Sequence, residues 1–454
     1  MKITGINPAT GESLQTYVEM SGAEVDAALK QSQRAFEDWK QTPFAARSER
    51  MKSLAQQLRT GRNGFAELMA REMGKPISQG RAEVDKCAWG CDYYAENAEK
   101  FLQSDMIKTD ASRSFVAFEP LGTLLAIMPW NFPFWQVFRA AVPAIMAGNA
   151  VVLKHASNVF GCALAIEALF KGSFPEGLFR TLLVGSKRAG ELIANPLVHA
   201  VTLTGSTEAG KAVAAEAGKV LKKSVLELGG SDPYVVLEDA DLEQAAESCV
   251  NSRLINAGQS CIAAKRFIVV NAVRPQFEEL VVAKMRKRDF GDPLNEATIM
   301  GPMARHDLRD SLHDQVQRSI SEGAKLLLGG KIPAGKGAFY PATVLGKVTP
   351  KMTAFREETF GPVAAIIGAA SEQEAIDLAN DSDFGLGAAV FTRDVKRGEE
   401  IATKRLQAGC CFVNEFVRSD PRLPFGGVKQ SGFGRELAVF GIHEFVNIKT
   451  VYIR

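Results

Sequence analysis

The sequence predicts an α/β protein built from more than one domain. Its 454 residues exceed what a single hydrophobic core normally organises. From about residue 121 onward, short apolar runs alternate with stretches of helical spacing, the pattern of a parallel sheet covered on both faces. The apolar fraction of 46% and charged fraction of 23% are those of an ordinary globular chain.

Residues 23–104 read as helices, with apolar residues at helical spacing over Ala23–Trp39, Ala45–Leu58 and Phe65–Met73. Phe115–Phe118 and Leu124–Met128 read as two strands separated by a Pro120-Leu121-Gly122 turn. Strand-like runs follow at Ala150–Leu153, Thr181–Val184, Ala200–Leu203 and Ser224–Leu226. Helical patterns at Val159–Phe170, Lys187–Ala194 and Glu208–Ala217 lie between them. A second α/β block begins near Gly229, with a helix over Ala246–Ile255 and strands at Arg266–Val270, Lys325–Leu328, Val363–Ile367, Ala388–Phe391 and Cys411–Val413. The tail from Asn447 to Arg454 reads as one more strand.

A formal net charge of +2 argues against nucleic-acid binding, and the densest basic run, Lys284 to Arg288, sits at the end of a helical pattern and reads as a solvated face. Leu121–Ala150, the most apolar segment, is broken by Pro129, Pro133, Arg139 and Pro143, so no membrane span is expected. Seven scattered cysteines fit a reducing cytoplasm better than a disulfide framework. The five histidines show no metal-ligand spacing.

Four places carry candidate chemistry. Cys261 follows Gly258-Gln259-Ser260, a turn that would expose a thiol at a helix end. Glu227 closes a strand and enters Gly229-Gly230, which suits a general base. Asn131 sits between Pro129 and Pro133, where its amide could serve an oxyanion hole. Thr204-Gly205-Ser206 joins a strand to a helix, where small residues let backbone approach a pyrophosphate. There is no GxGxxG, so an ordinary Rossmann assignment is unsupported.

Together these segments resemble the aldehyde dehydrogenase superfamily. The matching motifs are Pro-Trp-Asn-Phe-Pro (129–133), Leu-Glu-Leu-Gly-Gly (226–230), Gly-Gln-Ser-Cys (258–261), Glu-Glu-Thr-Phe-Gly-Pro (357–362) and the run from Pro424 to Glu436. The resemblance implies that Cys261 is the nucleophile, Glu227 the base that activates water, and Asn131 with the Cys261 amide the oxyanion hole. It implies that Glu358 and Phe360 hold the nicotinamide ribose, and that Lys154, Ser206 and Trp130 contact the adenosine ribose and phosphates. Members that pass the acyl group to coenzyme A lack a Glu at position 227, so hydrolysis to a free acid is expected.

Members strict for NAD usually carry a Glu where this chain has Ser157. A carboxylate there would repel a 2′-phosphate, whereas Ser157 removes the repulsion and Lys154 supplies a counter-charge. NADP is therefore the expected cofactor, with NAD possible. One stretch departs from the family: the glycine-rich phosphate loop is reduced to Val184-Gly185-Ser186.

Within that family the chain resembles in particular the bacterial succinate semialdehyde dehydrogenases of the short NADP-linked type. In that group an Arg at the position of Arg139 binds the far carboxylate, and Ser419 matches a substrate-binding Ser. Arg418 and Arg422 share the Ser419 loop. The group's second Arg, six residues before the nucleophile, is Ile255 here, and the nearest Arg is Arg253. The expected reaction is oxidation of succinate semialdehyde to succinate. A broader aldehyde or glutarate semialdehyde dehydrogenase is the alternative.

The resemblance implies an aldehyde dehydrogenase-like fold: a Rossmann-type cofactor domain (1–104 and 121–228), an α/β catalytic domain (229–440), and a small β oligomerisation arm (105–120 and 441–454). The arm would pair with another subunit, making a homodimer or homotetramer.

Overall fold

The computed structural model describes residues 1–454. Two parallel-rich sheets dominate it. In the first, the strands run in the order Gly432–Phe433, Lys223–Glu227, Ala200–Thr204, Thr123–Met128, Ala150–His155, Phe179–Thr181. All neighbours are parallel except Gly432–Phe433, which pairs antiparallel with Lys223–Glu227. The chain leaves Thr123–Met128 toward one edge and then returns to its other side at Ala200. This order reversal places a crevice between the carboxyl ends of Thr123–Met128 and Ala200–Thr204, where open α/β sheets bind ligands. Every residue of the strands Thr123–Met128, Ala150–His155 and Ala200–Thr204 is buried, as expected of strands covered on both faces.

The second sheet has seven strands in the order Lys325–Leu328, Thr343–Gly346, Val363–Ala369, Arg266–Val270, Pro233–Val236, Gly387–Phe391, Cys410–Val413. Only Lys325–Leu328 is antiparallel to its neighbour. A three-stranded sheet joins Asp105–Met106, Arg113–Pro120 and Val446–Ile453. Its last strand pairs with Arg113–Pro120 over eight residues and leaves Ile448, Tyr452 and Ile453 exposed.

The helices Gly22–Trp39, Phe44–Met73 and Ile77–Phe101 account for the helical first quarter. Ser21 caps the first with a complete capping box through Glu24. The sequence reading splits the second helix near Gly61 and Gly64, but it is continuous, because Leu54, Leu58, Ala66 and Met69 bury one face throughout. That burial outweighs the roughly 1 kcal/mol cost of each glycine. The strand read at Thr181–Val184 occupies Phe179–Thr181 instead. An N-terminal hairpin, Lys2–Ile6 with Ser13–Val18, and the strands Pro233–Val236 and Thr343–Gly346 were not expected from the sequence. No helix is long and apolar enough to cross a membrane. The seven cysteines are all free thiols.

Candidate active site

The site lies where the carboxyl ends of the first sheet face the amino ends of the second. Glu227, Thr204 and Met128 end strands of the first sheet, and Asn131 follows Met128 closely. From the second sheet come the segments leading into strands: Cys261 and Lys265 before Arg266, and Glu358 and Phe360 before Val363.

Cys261 is presented by an irregular turn. The helix Leu242–Leu254 stops, and Asn256 and Ala257 take left-handed backbone angles of φ 53° and 51°. Gly258 follows at φ 74°, and a Cβ there would lie 2.2 Å from the Gly361 carbonyl oxygen, so only glycine fits. Buried Arg253 donates from Nη2 to the Gly258 carbonyl at 2.5 Å and fixes the turn. Lys265 Nζ donates to the carbonyls of Ser260 at 2.8 Å and Cys261 at 2.6 Å.

The same turn is bonded to the Asn131 loop. Asn131 Nδ2 donates to the Gln259 carbonyl at 3.1 Å, and Asn256 Nδ2 donates to the Asn131 carbonyl at 2.7 Å. Gln259 is pinned in turn by donation from its Nε2 to the Asn256 carbonyl at 3.1 Å and by the Ala304 N–H on its Oε1 at 2.9 Å. Asn131 is thus held with one Nδ2 hydrogen committed and the other available. From beneath, His155 Nε2 donates to the Pro133 carbonyl at 2.9 Å, while its Nδ1 accepts from Ala156 N–H. Burial lowers the His155 pKa to about 4, so the ring is neutral and structural. Glu83 accepts the N–H groups of Phe134 and Trp135, each at 2.9 Å, and pairs with buried Lys75.

Two glycines bring the halves together. A Cβ on Gly229 would meet Glu358 Oε2 at 2.5 Å, and one on Gly230 would meet the Cys261 carbonyl at 2.6 Å. Glycine at both positions lets the loop after Glu227 run directly under the thiol. Glu227 is 1% exposed, and neither of its carboxyl oxygens has a hydrogen-bond partner. Burial pushes its pKa well up; nearby Arg139 opposes the shift and Glu436 adds to it. Cys261, half-buried, is pushed up to about 12 by desolvation, against the charges of Arg139 and Lys265 and with those of Glu358 and Glu227. Thiol and carboxyl are close enough to feel each other's charge, and burial favours the neutral form of each.

The thiol opens onto a cavity of about 490 Å³. Phe132, Trp135, Ile255, Ile262, Phe416 and Phe425 supply much of its apolar wall. Ser419, Lys86, Arg139, Arg288 and Arg418 supply polar groups. Arg139 reaches this wall, but its guanidinium forms a buried ion pair with Glu436, donates to Thr204 Oγ1 at 3.3 Å and lies 4.7 Å over the Phe425 ring. Arg422 is bound to Asp420 through two hydrogen bonds.

The dinucleotide region follows the crevice of the first sheet. Lys154, the penultimate residue of its strand, is largely buried; burial lowers its pKa, and no carboxylate stands near enough to offset this. An uncompensated buried ammonium at this edge suits a phosphate. Ser157 opens the short 3-10 turn just beyond. Gly205 lies at the crevice, and Ser206 caps the helix Thr207–Lys219 by accepting from Ala209 N–H at 3.3 Å, which leaves that helix N-terminus facing the crevice. Trp130 and Phe360 meet edge to face at 5.8 Å, and Glu358 accepts from Gly230 N–H at 3.0 Å and pairs with Lys265 at 3.2 Å. The Lys154 ammonium and the helix N-terminus at Ser206 fit the phosphates of a dinucleotide.

The family model for the aldehyde dehydrogenase family matches residues 1–451. This chain belongs to that family. It is 49% identical over 448 residues to the succinate semialdehyde dehydrogenase [NAD(P)+] Sad of Escherichia coli K12, covering 98% of this chain and 97% of that one. It is 46% identical over 458 residues to the succinate-semialdehyde dehydrogenase [NADP(+)] of Mycobacterium avium, covering 100% and 97%. Among solved structures, the succinic semialdehyde dehydrogenase of Streptococcus pyogenes in complex with NADP+ superposes with a TM-score of 0.97 at 36% identity, covering 99% of each chain.

In this aldehyde dehydrogenase the structure brings Cys261, Glu227 and Asn131 to one place, and Lys154, Ser157, Gly205 and Ser206 to the adjoining crevice. Sequence reasoning missed Gln259, Asn256 and Lys265 as supports of the thiol loop, and Glu436 as the partner of Arg139. Gln259 and Glu436 lie inside motifs the sequence displays, yet a motif does not say which of its polar groups face each other. Glu83, Lys75 and Lys86 come from a helix far upstream, Ile77–Phe101 and the loop before it, and nothing local marks them.

Proposed function

We propose that this enzyme oxidises succinate semialdehyde to succinate with NADP as preferred oxidant and NAD as a poorer substitute. The observation that carries the reading is the cavity in which Cys261 faces a wall bearing Ser419 and several cations, room and charge for a short aldehyde with a carboxylate at its far end. The succinate semialdehyde dehydrogenase activity by which those relatives are named supports the same substrate.

Once its proton has passed to solvent, Cys261 attacks the aldehyde carbon as thiolate, forming a carbon–sulfur bond while the carbonyl π bond opens to an alkoxide. The free Nδ2 hydrogen of Asn131 and the Cys261 backbone N–H stabilise that oxygen; one such donor is typically worth about 3–4 kcal/mol. A bound nicotinamide would supply the hydride acceptor, and loss of hydride from this carbon leaves Cys261 as a thioester. Glu227, as carboxylate, then removes a proton from water, whose oxygen attacks the thioester carbon; the carbon–sulfur bond breaks, releasing the acid and the Cys261 thiolate. Lys154 and Ser157 would hold the 2′-phosphate of NADP, Trp130, Gly205 and Ser206 would border its adenosine diphosphate, and Glu358 and Phe360 would hold the nicotinamide ribose.

Residues 1–104 and 121–228 serve as the cofactor-binding unit, 229–440 as the catalytic unit, and 105–120 with 441–454 as an arm that pairs with another subunit in a homodimer or homotetramer. The exposed Ile448, Tyr452 and Ile453 on that arm support pairing. The test is kcat/KM for succinate semialdehyde, glutarate semialdehyde and two uncharged aldehydes, each with NADP and NAD. Succinate semialdehyde with NADP should be highest; equal efficiency with the uncharged aldehydes would overturn the reading.

A further inference from the structure

Successive carbonyls at the nucleophile are each taken by a buried side chain. Arg253 Nη2 holds that of Gly258, and Asn131 Nδ2 with Asn256 Nδ2 holds that of Gln259. Lys265 Nζ takes the next two, donating to Ser260 at 2.8 Å and to Cys261 at 2.6 Å. The Lys265 side chain is fully buried, and its Nζ also lies 3.2 Å from Glu358 Oε1. An ammonium has three hydrogens, so each meets its own oxygen and the head is fixed in orientation. These three partners offset the cost of burying the charge.

The bond to Ser260 sets the direction of the next amide. All peptides of the chain are trans. A trans peptide is planar, and its C=O and N–H point in opposite directions. The Ser260 carbonyl and the Cys261 N–H belong to one such unit. Turning the carbonyl toward Lys265 therefore turns the Cys261 N–H away from it. That N–H has no acceptor in the chain, whereas the Ser260 carbonyl accepts twice, from Lys265 and from Ala263 N–H at 3.2 Å. A peptide pinned through its oxygen and free at its nitrogen is a preorganised donor.

We infer that Lys265 is the positioning residue of the oxyanion hole: by holding the Ser260 carbonyl it aims the Cys261 N–H at the oxygen that becomes the alkoxide, and by holding the Cys261 carbonyl it keeps that residue from turning. This rests on the thioester chemistry proposed above. Lys265 acts through the amide it orients. Its charge has a second effect, on the thiol. Burial disfavours the Cys261 thiolate, Arg139 and Lys265 favour it, and Glu358 and Glu227 oppose it.

Two reactions of the enzyme without nucleotide separate orientation from charge. The Cys261 thiolate is the nucleophile in both. With p-nitrophenyl acetate it adds to a carbonyl carbon, passes through an alkoxide and expels p-nitrophenolate, read as a burst of colour. With iodoacetamide it displaces iodide from a saturated carbon and forms no alkoxide, read as alkylated Cys261 by mass spectrometry. The ratio of the two rates at one pH cancels the thiolate fraction and leaves the oxyanion donors. Lys265→Met and Lys265→Gln should lower this ratio about 10- to 100-fold, less than the roughly 100- to 1000-fold typical of deleting a donor, because the amide is misdirected and not removed. Lys265→Gln, which can still donate to one carbonyl, should lose less than Lys265→Met. Buried Cys87, Cys91, Cys162 and Cys249 stay unalkylated in folded protein, so the same spectra identify a variant that has not folded. Asn131→Ala serves as control and should also lower the ratio. An unchanged ratio in the folded Lys265 variants, with a fall in Asn131→Ala, would overturn the role of Lys265 alone. An unchanged ratio in all three would overturn the oxyanion hole and this inference with it.

Discussion

Replacing Ser157 by Glu tests the cofactor assignment most directly. Ser157 sits half-exposed three residues beyond Lys154, on the turn that leaves the strand Ala150–His155. In the proposed complex its side chain stands beside the ribose 2′ position. A carboxylate there would face the 2′-phosphate at about 4 Å, where two unit charges repel by roughly 1 kcal/mol in bulk water and 4 kcal/mol at an effective dielectric near 20. Lys154 is largely buried and Ser157 half-exposed, so the local medium lies between these limits. The preference for NADP over NAD should therefore fall by about 5-fold to nearly a thousandfold. Efficiency with NAD should hold or rise, because a carboxylate can accept both ribose hydroxyls. The assay is kcat/KM for each nucleotide at saturating aldehyde, repeated at low and high salt, since a partly exposed repulsion is screened. An unchanged NADP-to-NAD ratio would show that position 157 does not face the 2′-phosphate.

Other perturbations follow from the same geometry. Glu227→Gln should leave a rapid first turnover of reduced nucleotide but stop hydrolysis, so that denaturing mass spectrometry finds an acyl group on Cys261; free acid formed at the wild-type rate would remove Glu227 from deacylation. Because burial raises the pKa values of Cys261 and Glu227, both must lose a proton to act, so kcat/KM should climb as pH rises through neutrality. A profile that falls over that range would contradict this. Glu83→Ala strips Lys75 of its buried partner and orphans two amides, and should cost at least about 3–5 kcal/mol in urea unfolding while lowering kcat through the Asn131 loop; stability within 1 kcal/mol of wild type, on the order of a surface substitution, would exclude that support.

The alternation of apolar runs and helical stretches was enough to foretell the first sheet, because its strands are buried on both faces and read as continuous Val, Leu, Ile and Ala. Pro233–Val236 was missed since it is only four residues long and begins with a proline, a poor strand signal on its own, and gains its pairing from Arg266–Val270 and Gly387–Phe391 far away. The continuity of Phe44–Met73 was likewise hidden: Gly61 and Gly64 argue for a break, and only packing along the buried face decides otherwise.

What the sequence determined by itself is the chemistry available: one thiol after a Gly-Gln-Ser turn, one acid before paired glycines, one amide between prolines. These are local arrangements, set by backbone constraints that a few neighbouring residues impose. What only the tertiary structure decided is which charges are spoken for. Arg139 and Lys86 read alike as cations, yet one is paired with a glutamate almost 300 residues later in the chain and the other stands beside a serine with no anion of its own. Ion pairing depends on distance in space, and the spacing of residues along a chain does not record it.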